Sequence, residues 1–216
     1  MTPTALEPLV VAGVKDALYA DGICGLSGAF APEFVGRLHD QCLLLHDEAS
    51  SYEGGRVNRG RNRWYFGVHP QQLSGIVELL SHPWLVAICR EVLGPDYQIA
   101  EVAFDISWPG SAYQPWHRDF RREIGMDPEG RLTALAFNLP TVGVTDEMGP
   151  LEVIHGTHTD TIASDVDGMF PDQAGQARYE QDSRRTPKKP QRGDMSVRTP
   201  LAIHRGTPNL SPMVRP

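Results

Sequence analysis

Gln114-Pro115-Trp116-His117-Arg118-Asp119 is the stretch that decides how this chain is read. It sets an imidazole and a carboxylate two residues apart. In a β-strand residues i and i+2 point to one face, so His117 and Asp119 can offer a nitrogen and an oxygen to a single metal ion. One more histidine from elsewhere would complete a 2-His-1-carboxylate face. That donor set leaves coordination positions open and suits non-haem Fe(II) that activates O₂. The tripeptide alone is a weak signal. Eight histidines and fifteen aspartates in 216 residues give roughly half of one His-x-Asp by chance. A second copy, His158-Thr159-Asp160, is indeed present.

The length of 216 residues fits one domain, or one domain with a helical extension. Apolar content of 40% and charged content of 22% are ordinary for a globular chain. A net charge of −7 argues against broad nucleic-acid binding, which needs a basic footprint. Cys24, Cys42 and Cys89 are odd in number and form no Cys-x-x-Cys, which reads as reduced thiols in a cytoplasmic protein. Met1-Thr2-Pro3-Thr4 carries no basic leader, and no apolar run approaches ~20 residues, so no membrane partner is expected. There is no internal repeat.

On the N-terminal side the pattern is helical. Leu9, Val10, Val14, Ala17 and Leu18 share one face of a helix over 8–20, which Gly22 stops. Residues 23–30 read as a short strand and turn. Pro32 opens a second helix with Phe34, Val35, Leu38, Cys42 and Leu45 on one face to about residue 49. His39 and His46 lie on it and read as surface or partner-capped side chains. Residues 50–63 form a Gly-rich loop with Arg56, Arg59, Arg61 and Arg63, followed by Trp64-Tyr65-Phe66. This is either a solvated basic loop or an electropositive lip that meets an anionic substrate or cosubstrate. Further helices are expected from Pro70 to Leu80 and from Pro83 to Leu93, so residues 1–95 are mostly helical support. His69 and His82 sit at element boundaries before prolines and receive no catalytic role.

From residue 96 onward the texture is β-rich. Strands are expected over 97–108, 113–117, 132–139, 151–154, 195–198, 201–205 and 213–215, with a charged loop at 120–130. The polar segment 160–193 reads as a lid or mobile insertion. Helices first and short strands after make an α+β chain, with the strands in a sandwich or barrel. A double-sheet jelly roll of the cupin kind fits their number.

The last strands offer a distal ligand. If 201–215 is a hairpin turning between Asn209 and Leu210, His204 and Arg215 oppose each other and share a face. A guanidinium there can grip a carboxylate in bidentate fashion. A five-carbon 2-oxo diacid would then chelate iron at one end and meet Arg215 at the other.

Taken together, four segments resemble the phytanoyl-CoA dioxygenase family of Fe(II)/2-oxoglutarate-dependent oxygenases. They are Trp116-His117-Arg118-Asp119, the run Gly149-Pro150-Leu151-Glu152-Val153-Ile154-His155-Gly156-Thr157-His158, the turn Arg192-Gly193-Asp194, and His204 with Asn209, Ser211 and Arg215. The resemblance spans roughly residues 15–215. It implies a double-stranded β-helix with flanking N-terminal helices in one domain, 1–216. It also implies His117, Asp119 and His204 as iron ligands, Arg215 as the 2-oxoglutarate anchor, and His158 as a strand-closing residue that binds no iron. The family usually continues beyond that arginine with another strand, whereas this sequence stops at Pro216.

The resemblance further implies Fe(II), 2-oxoglutarate and O₂ as cofactors, with succinate and CO₂ released as an unactivated C–H bond of a small molecule is hydroxylated. The same iron chemistry ending in desaturation, epimerisation or cyclisation is an alternative, and so is a non-catalytic cupin-like binding module. Asp119 in the ligand set disfavours halogenation. Around the metal, Ser107 and Thr133 are expected to meet 2-oxoglutarate. Asp105, Trp116, Asn138, Arg59, Arg61 and Arg63 are candidates for the substrate, for Trp116 with core packing as the competing role. Arg184, Arg185, Lys188 and Lys189 read as solvated, with an anionic substrate as their other option. Neither the substrate nor the oligomeric state is legible.

Overall fold

Proline and glycine mark out the helical half of the chain. The computed structural model describes residues 8–216 apart from 163, 165 and 166. Helix α1 runs from Pro8 to Asp21, and Gly22 ends it at φ 80°. Pro32 and Pro83 occupy the first turns of α2 (Pro32–Ser50) and α4 (Pro83–Leu93), where a missing N–H costs nothing. The His82 ring accepts a hydrogen bond from the Trp84 N–H and so caps α4. The buried stripe of α2, with Phe34, Val35, Leu38 and Cys42, packs into one core with Trp84, Leu85 and Ile88 of α4. Each fully buried Leu or Ile there contributes about 1.5–3 kcal/mol.

The strands form three antiparallel three-stranded sheets among the described residues. One has β1 (Ile23–Leu26), β8 (Met195–Arg198) and β5 (Ala136–Asn138) in the order β1-β8-β5. The second is β2 (Val57–Asn58), β3 (Arg63–Gly67) and β4 (Ala103–Ser107) in sequence order. The third has β7 (Arg185–Lys188), β6 (Leu151–Ile154) and β9 (His204–Gly206) in the order β7-β6-β9. Phe66 and Ile106 turn toward the helical core, so Arg63, Tyr65 and Asp105 project from the opposite face of the second sheet. The Gly193-Asp194 turn locks the first sheet to the loop after β1. Phe30 N–H donates to the Gly193 carbonyl at 3.0 Å and Gly28 N–H to Asp194 Oδ1 at 2.8 Å. Gly193 sits at φ 93°, and a Cβ there would collide with the Phe30 carbonyl.

The chain is therefore α+β, as its pattern indicates, but several elements differ from expectation. The helix expected over 70–80 breaks into a 3₁₀ turn at Pro70–Gln72 and a short α3 (Ile76–Leu80), because Gly75 is left-handed at φ 88°. Residues 113–117 form no regular strand, and only His117 makes a bridge, to His204. The charged loop holds a four-residue helix, α5 (Arg122–Gly125). Among the described residues of the 160–193 segment, α6 (Gln173–Glu180) and β7 are regular elements, and β7 pairs with β6 along its length. There is no terminal hairpin. His204 pairs with Val153 and Arg215 bridges Ser107. No helix among the described residues is long and apolar enough to cross a membrane.

Candidate metal centre

Two histidines distant in sequence are held by each other's main chains. His117 N–H donates to the His204 carbonyl at 3.0 Å, and His204 N–H returns the bond to the His117 carbonyl at 2.9 Å. Opposed residues of such a pair share a face, and the two ring centroids lie 4.4 Å apart. The Asp119 N–H bonds the Pro200 carbonyl at 2.8 Å, which swings its carboxylate to the same side. Asp119 Oδ1 is 3.4 Å from His204 Nε2. One ligand atom from each of the three residues lies within 4.8 Å of the others.

The ring protons are placed for a metal. Each Nδ1 sits 2.9 Å from a carbonyl, Pro115 for His117 and Ala202 for His204. A carbonyl only accepts, so each Nδ1 carries the hydrogen and each Nε2 presents its lone pair to the shared space. Burial, and then the positive charge His204 would carry, pull the His117 pKa down to about 3, so its ring stays neutral. Burial by itself would raise the Asp119 carboxyl, but the Arg198 guanidinium and His204 hold it well below the usual carboxylate range. A neutral His117 imidazole and an ionised Asp119 carboxylate are the protonation states a divalent cation requires of those two residues. The donor set therefore fits Fe(II).

The site opens on a cavity of about 1220 Å³ lined by, among others, Arg59, Tyr65, Asp105, Phe170, Arg198 and Arg215. At its inner end Arg215 Nε donates to the Met148 carbonyl at 3.0 Å. Burial and then the Arg63 charge lower the Arg215 pKa to about 10, partly offset by Asp105. Arg63 is buried, donates to the Thr207 carbonyl at 3.0 Å, and lies 3.5 Å from Asp105. Its guanidinium covers Gly206, where a Cβ would sit 2.5 Å from Arg63 Cζ, so only glycine lets it lie there. Two guanidiniums against one carboxylate leave this end electropositive. Nearer the mouth, the Tyr65 hydroxyl donates to Glu101 at 2.6 Å and the Arg59 guanidinium lies 4.7 Å over the Tyr65 ring. Phe170 stacks on the His117 ring with centroids 5.5 Å apart.

The expected contacts divide. His204 and Arg215 both line the cavity, although the hairpin that suggested it does not exist. Asp105, Asn138, Arg59 and Arg63 line it too. Thr133 lines it, with its hydroxyl donated to the Ile124 carbonyl. Ser107 does not; it is fully buried and hydrogen-bonded to Ser111 at 2.7 Å. Trp116 is 1% exposed in a core cluster with Ile154, Tyr179 and Ile203, which closes it to substrate. Arg61 is exposed and outside the cavity lining. Arg118 turns its guanidinium to the Asp160 carbonyl at 3.0 Å. In the rival tripeptide His158 bonds the Tyr19 carbonyl while Asp160 is held by Arg178 and Tyr179, so the two serve separate structural contacts. In the 184–189 run Arg184 pairs with Asp182 and Arg185 with Glu180, away from the cavity lining, whereas Lys188, beside His155, and Lys189, paired with Asp146, both line the cavity.

Three neighbours of the candidate metal ligands and of Trp116 beside them were missed from sequence: Arg198, Phe170 and Gln176. Gln176 of α6 clasps the main chain of Trp116, accepting from its N–H and donating to its carbonyl, both at 2.8 Å. None carries a local signal. An arginine ending a strand, or a phenylalanine and a glutamine in a polar segment, reads as ordinary until tertiary contacts are known.

The chain matches the profile of the phytanoyl-CoA dioxygenase (PhyH) family over residues 18–216. Among solved structures it is similar to the epimerase SnoN in complex with Fe³⁺, alpha ketoglutarate and nogalamycin RO, with a TM-score of 0.76 and 16% identity, covering 97% of this chain and 81% of that one. It is also similar to the non-heme alpha ketoglutarate dependent carbocyclase SnoK from nogalamycin biosynthesis (TM-score 0.73, 19% identity, 100% and 84% covered). EctD from S. alaskensis with bound Fe gives a TM-score of 0.72 at 20% identity, with 100% and 76% covered. At these identities the likeness is one of fold. A search of curated proteins finds no match.

Proposed function

The chain belongs to the phytanoyl-CoA dioxygenase family, and from this we propose that it is an Fe(II)- and 2-oxoglutarate-dependent oxygenase that hydroxylates an unactivated C–H bond of a small molecule. The proposal includes a single oxygenase domain built on a double-stranded β-helix, with the helices over 1–95 as support. His117, Asp119 and His204 hold the iron. When bound, iron with 2-oxoglutarate and O₂ supplies an oxidant strong enough for such a bond, with succinate and CO₂ as co-products. The observation that carries this reading is the convergence of three ligand atoms within 4.8 Å, with both Nδ1 positions locked by carbonyls.

The protein's own side chains bind and orient. Arg215 receives the far carboxylate of 2-oxoglutarate, and Arg63 adds positive charge beside it. Asp105, engaged by Arg63, keeps the pair from over-accumulating charge when the cavity is empty of anion. Phe170 covers one face of His117 and limits water at the ligand ring. Substrate enters past Arg59, Tyr65 and Asn138, and an anionic group on it would meet Arg59. A second reading, in which the same chemistry ends in epimerisation or cyclisation, is favoured by the epimerase and carbocyclase among the structural relatives. Product mass separates the two, since hydroxylation adds one oxygen atom and the others do not.

The deciding experiment is succinate release from 2-oxoglutarate with Fe(II), for the native chain and for Asp119→Ala. The native chain turns over and the variant does not, while its circular dichroism is retained. Asp119→Asn, which keeps an oxygen for Arg198, separates loss of the ligand charge from loss of the fold. Full turnover by Asp119→Ala would refute the assignment.

A further inference from the structure

Asp119 presents its two carboxylate oxygens to different partners. Oδ1 faces the imidazoles, 3.4 Å from His204 Nε2. Oδ2 faces the other way, with Arg198 Nη1 at 2.6 Å. Arg198 ends β8, the central strand of its sheet, and is 6% exposed. Its Nε and Nη1 are buried and make no directed hydrogen bond, so the contact with Oδ2 is an ion pair outside hydrogen-bond geometry. Nothing else among the described residues competes for that guanidinium edge, and it faces the cavity. A buried arginine with unspent donors, set against a metal-binding carboxylate, would be a costly arrangement if it served packing alone.

Carboxylates bind cations through one oxygen or through both. Using both would fill one more position on the metal. A 2-His-1-carboxylate face works because those positions remain open, and a chelating 2-oxo acid needs two of them. We propose that Arg198 is a positioning residue that withholds Oδ2 and so keeps Asp119 a one-oxygen ligand, leaving room for 2-oxoglutarate to chelate. The inference rests on the metal-centre reading above. It assigns Arg198 a role in cosubstrate binding that acts through Asp119, at the opposite end of 2-oxoglutarate from Arg215.

This role has an unusual sign. A cation beside the site repels a metal ion, so removing it does not weaken metal binding. A residue that merely supported the fold, or held Asp119 in place for the metal, would weaken metal binding when lost. The test is calorimetric titration of the anaerobic protein with Mn(II), followed by titration of the Mn(II)-loaded protein with 2-oxoglutarate. For Arg198→Gln, Mn(II) affinity is expected to be unchanged or tighter, and 2-oxoglutarate affinity of the loaded protein to fall by about tenfold or more, the scale typical of residues that orient ligands. Arg198→Lys, which keeps the charge, is expected to recover most of that loss. Arg198→Met carries the same expectation as the glutamine variant and replaces it if that variant does not fold. Mn(II) binding weakened beyond about threefold, or 2-oxoglutarate binding left unchanged, overturns the proposal, on the same scale. If the unsubstituted protein fails to bind Mn(II), the metal-centre reading falls and this proposal with it.

Discussion

Replacing Gln176 by alanine tests how strongly α6 holds the main chain beside His117. The glutamine amide accepts from the Trp116 N–H at 2.8 Å, and donates to the Trp116 carbonyl at 2.8 Å and to the Pro171 carbonyl at 3.3 Å. Trp116 is 1% exposed and directly precedes His117. Alanine removes all three bonds, and the Trp116 N–H and carbonyl lose the partner that holds them in a half-buried site. An unpaired buried polar group costs about 1–3 kcal/mol, so the two Trp116 groups cost roughly 2–6 kcal/mol, nearer the lower figure if water enters the space. With a urea slope of about 2–3 kcal/mol per molar, a loss of ~3 kcal/mol lowers the midpoint by roughly 1 M. The assay is equilibrium urea unfolding of the metal-free protein, followed by tryptophan fluorescence and far-ultraviolet circular dichroism. Gln176→Glu keeps the acceptor but loses the donor, and its midpoint should fall between the two. A midpoint for Gln176→Ala within about 0.2 M of the unsubstituted protein would refute the reasoning, because that limits the loss to well under 1 kcal/mol.

Arg215→Gln should raise the KM for 2-oxoglutarate by about 10- to 150-fold, the equivalent of one charged hydrogen-bonded contact worth roughly 1.5–3 kcal/mol. The change in kcat should be smaller, as succinate release at varied cosubstrate will report. Stability of the metal-free protein should fall on acidification from pH 7.5 to 5.5. Burial depresses the pKa of His46 and of His158, which are 5% and 1% exposed, so the unfolded chain takes up protons near pH 6.5 that the folded chain refuses. Each histidine then removes up to about 1.4 kcal/mol per pH unit below that value. A urea midpoint that is flat or rises over this interval would contradict it.

Much of the helical half was legible because its signals are local. Pro32, Pro83, Gly22 and Gly94 act on their own backbones, and the apolar stripes of α2 and α4 repeat at helical spacing, so their limits could be read to within a residue or two. Strands β6 and β8 were legible for the same reason, as compact β-prone runs between turn residues. The long strands expected over 97–108 and 132–139 shrank to β4 and β5, because a strand exists only where a partner lies beside it. Period-2 alternation says nothing about where pairing ends.

The candidate donor set was written in the sequence: a histidine and an aspartate two apart, a second histidine, and an arginine eleven residues beyond it. The sequence did not contain the reason they meet. His117 and His204 face one space because their main chains bond each other, and Arg215 reaches the cavity by bridging Ser107. Arg198 beside Asp119, Phe170 on His117 and Gln176 behind Trp116 join segments far apart along the chain. Residue type and spacing act over a few bonds, and so they fix which chemistry the chain can offer. Which groups share a cavity, and which oxygen of a carboxylate is free to bind, depends on contacts that form only when distant strands pair.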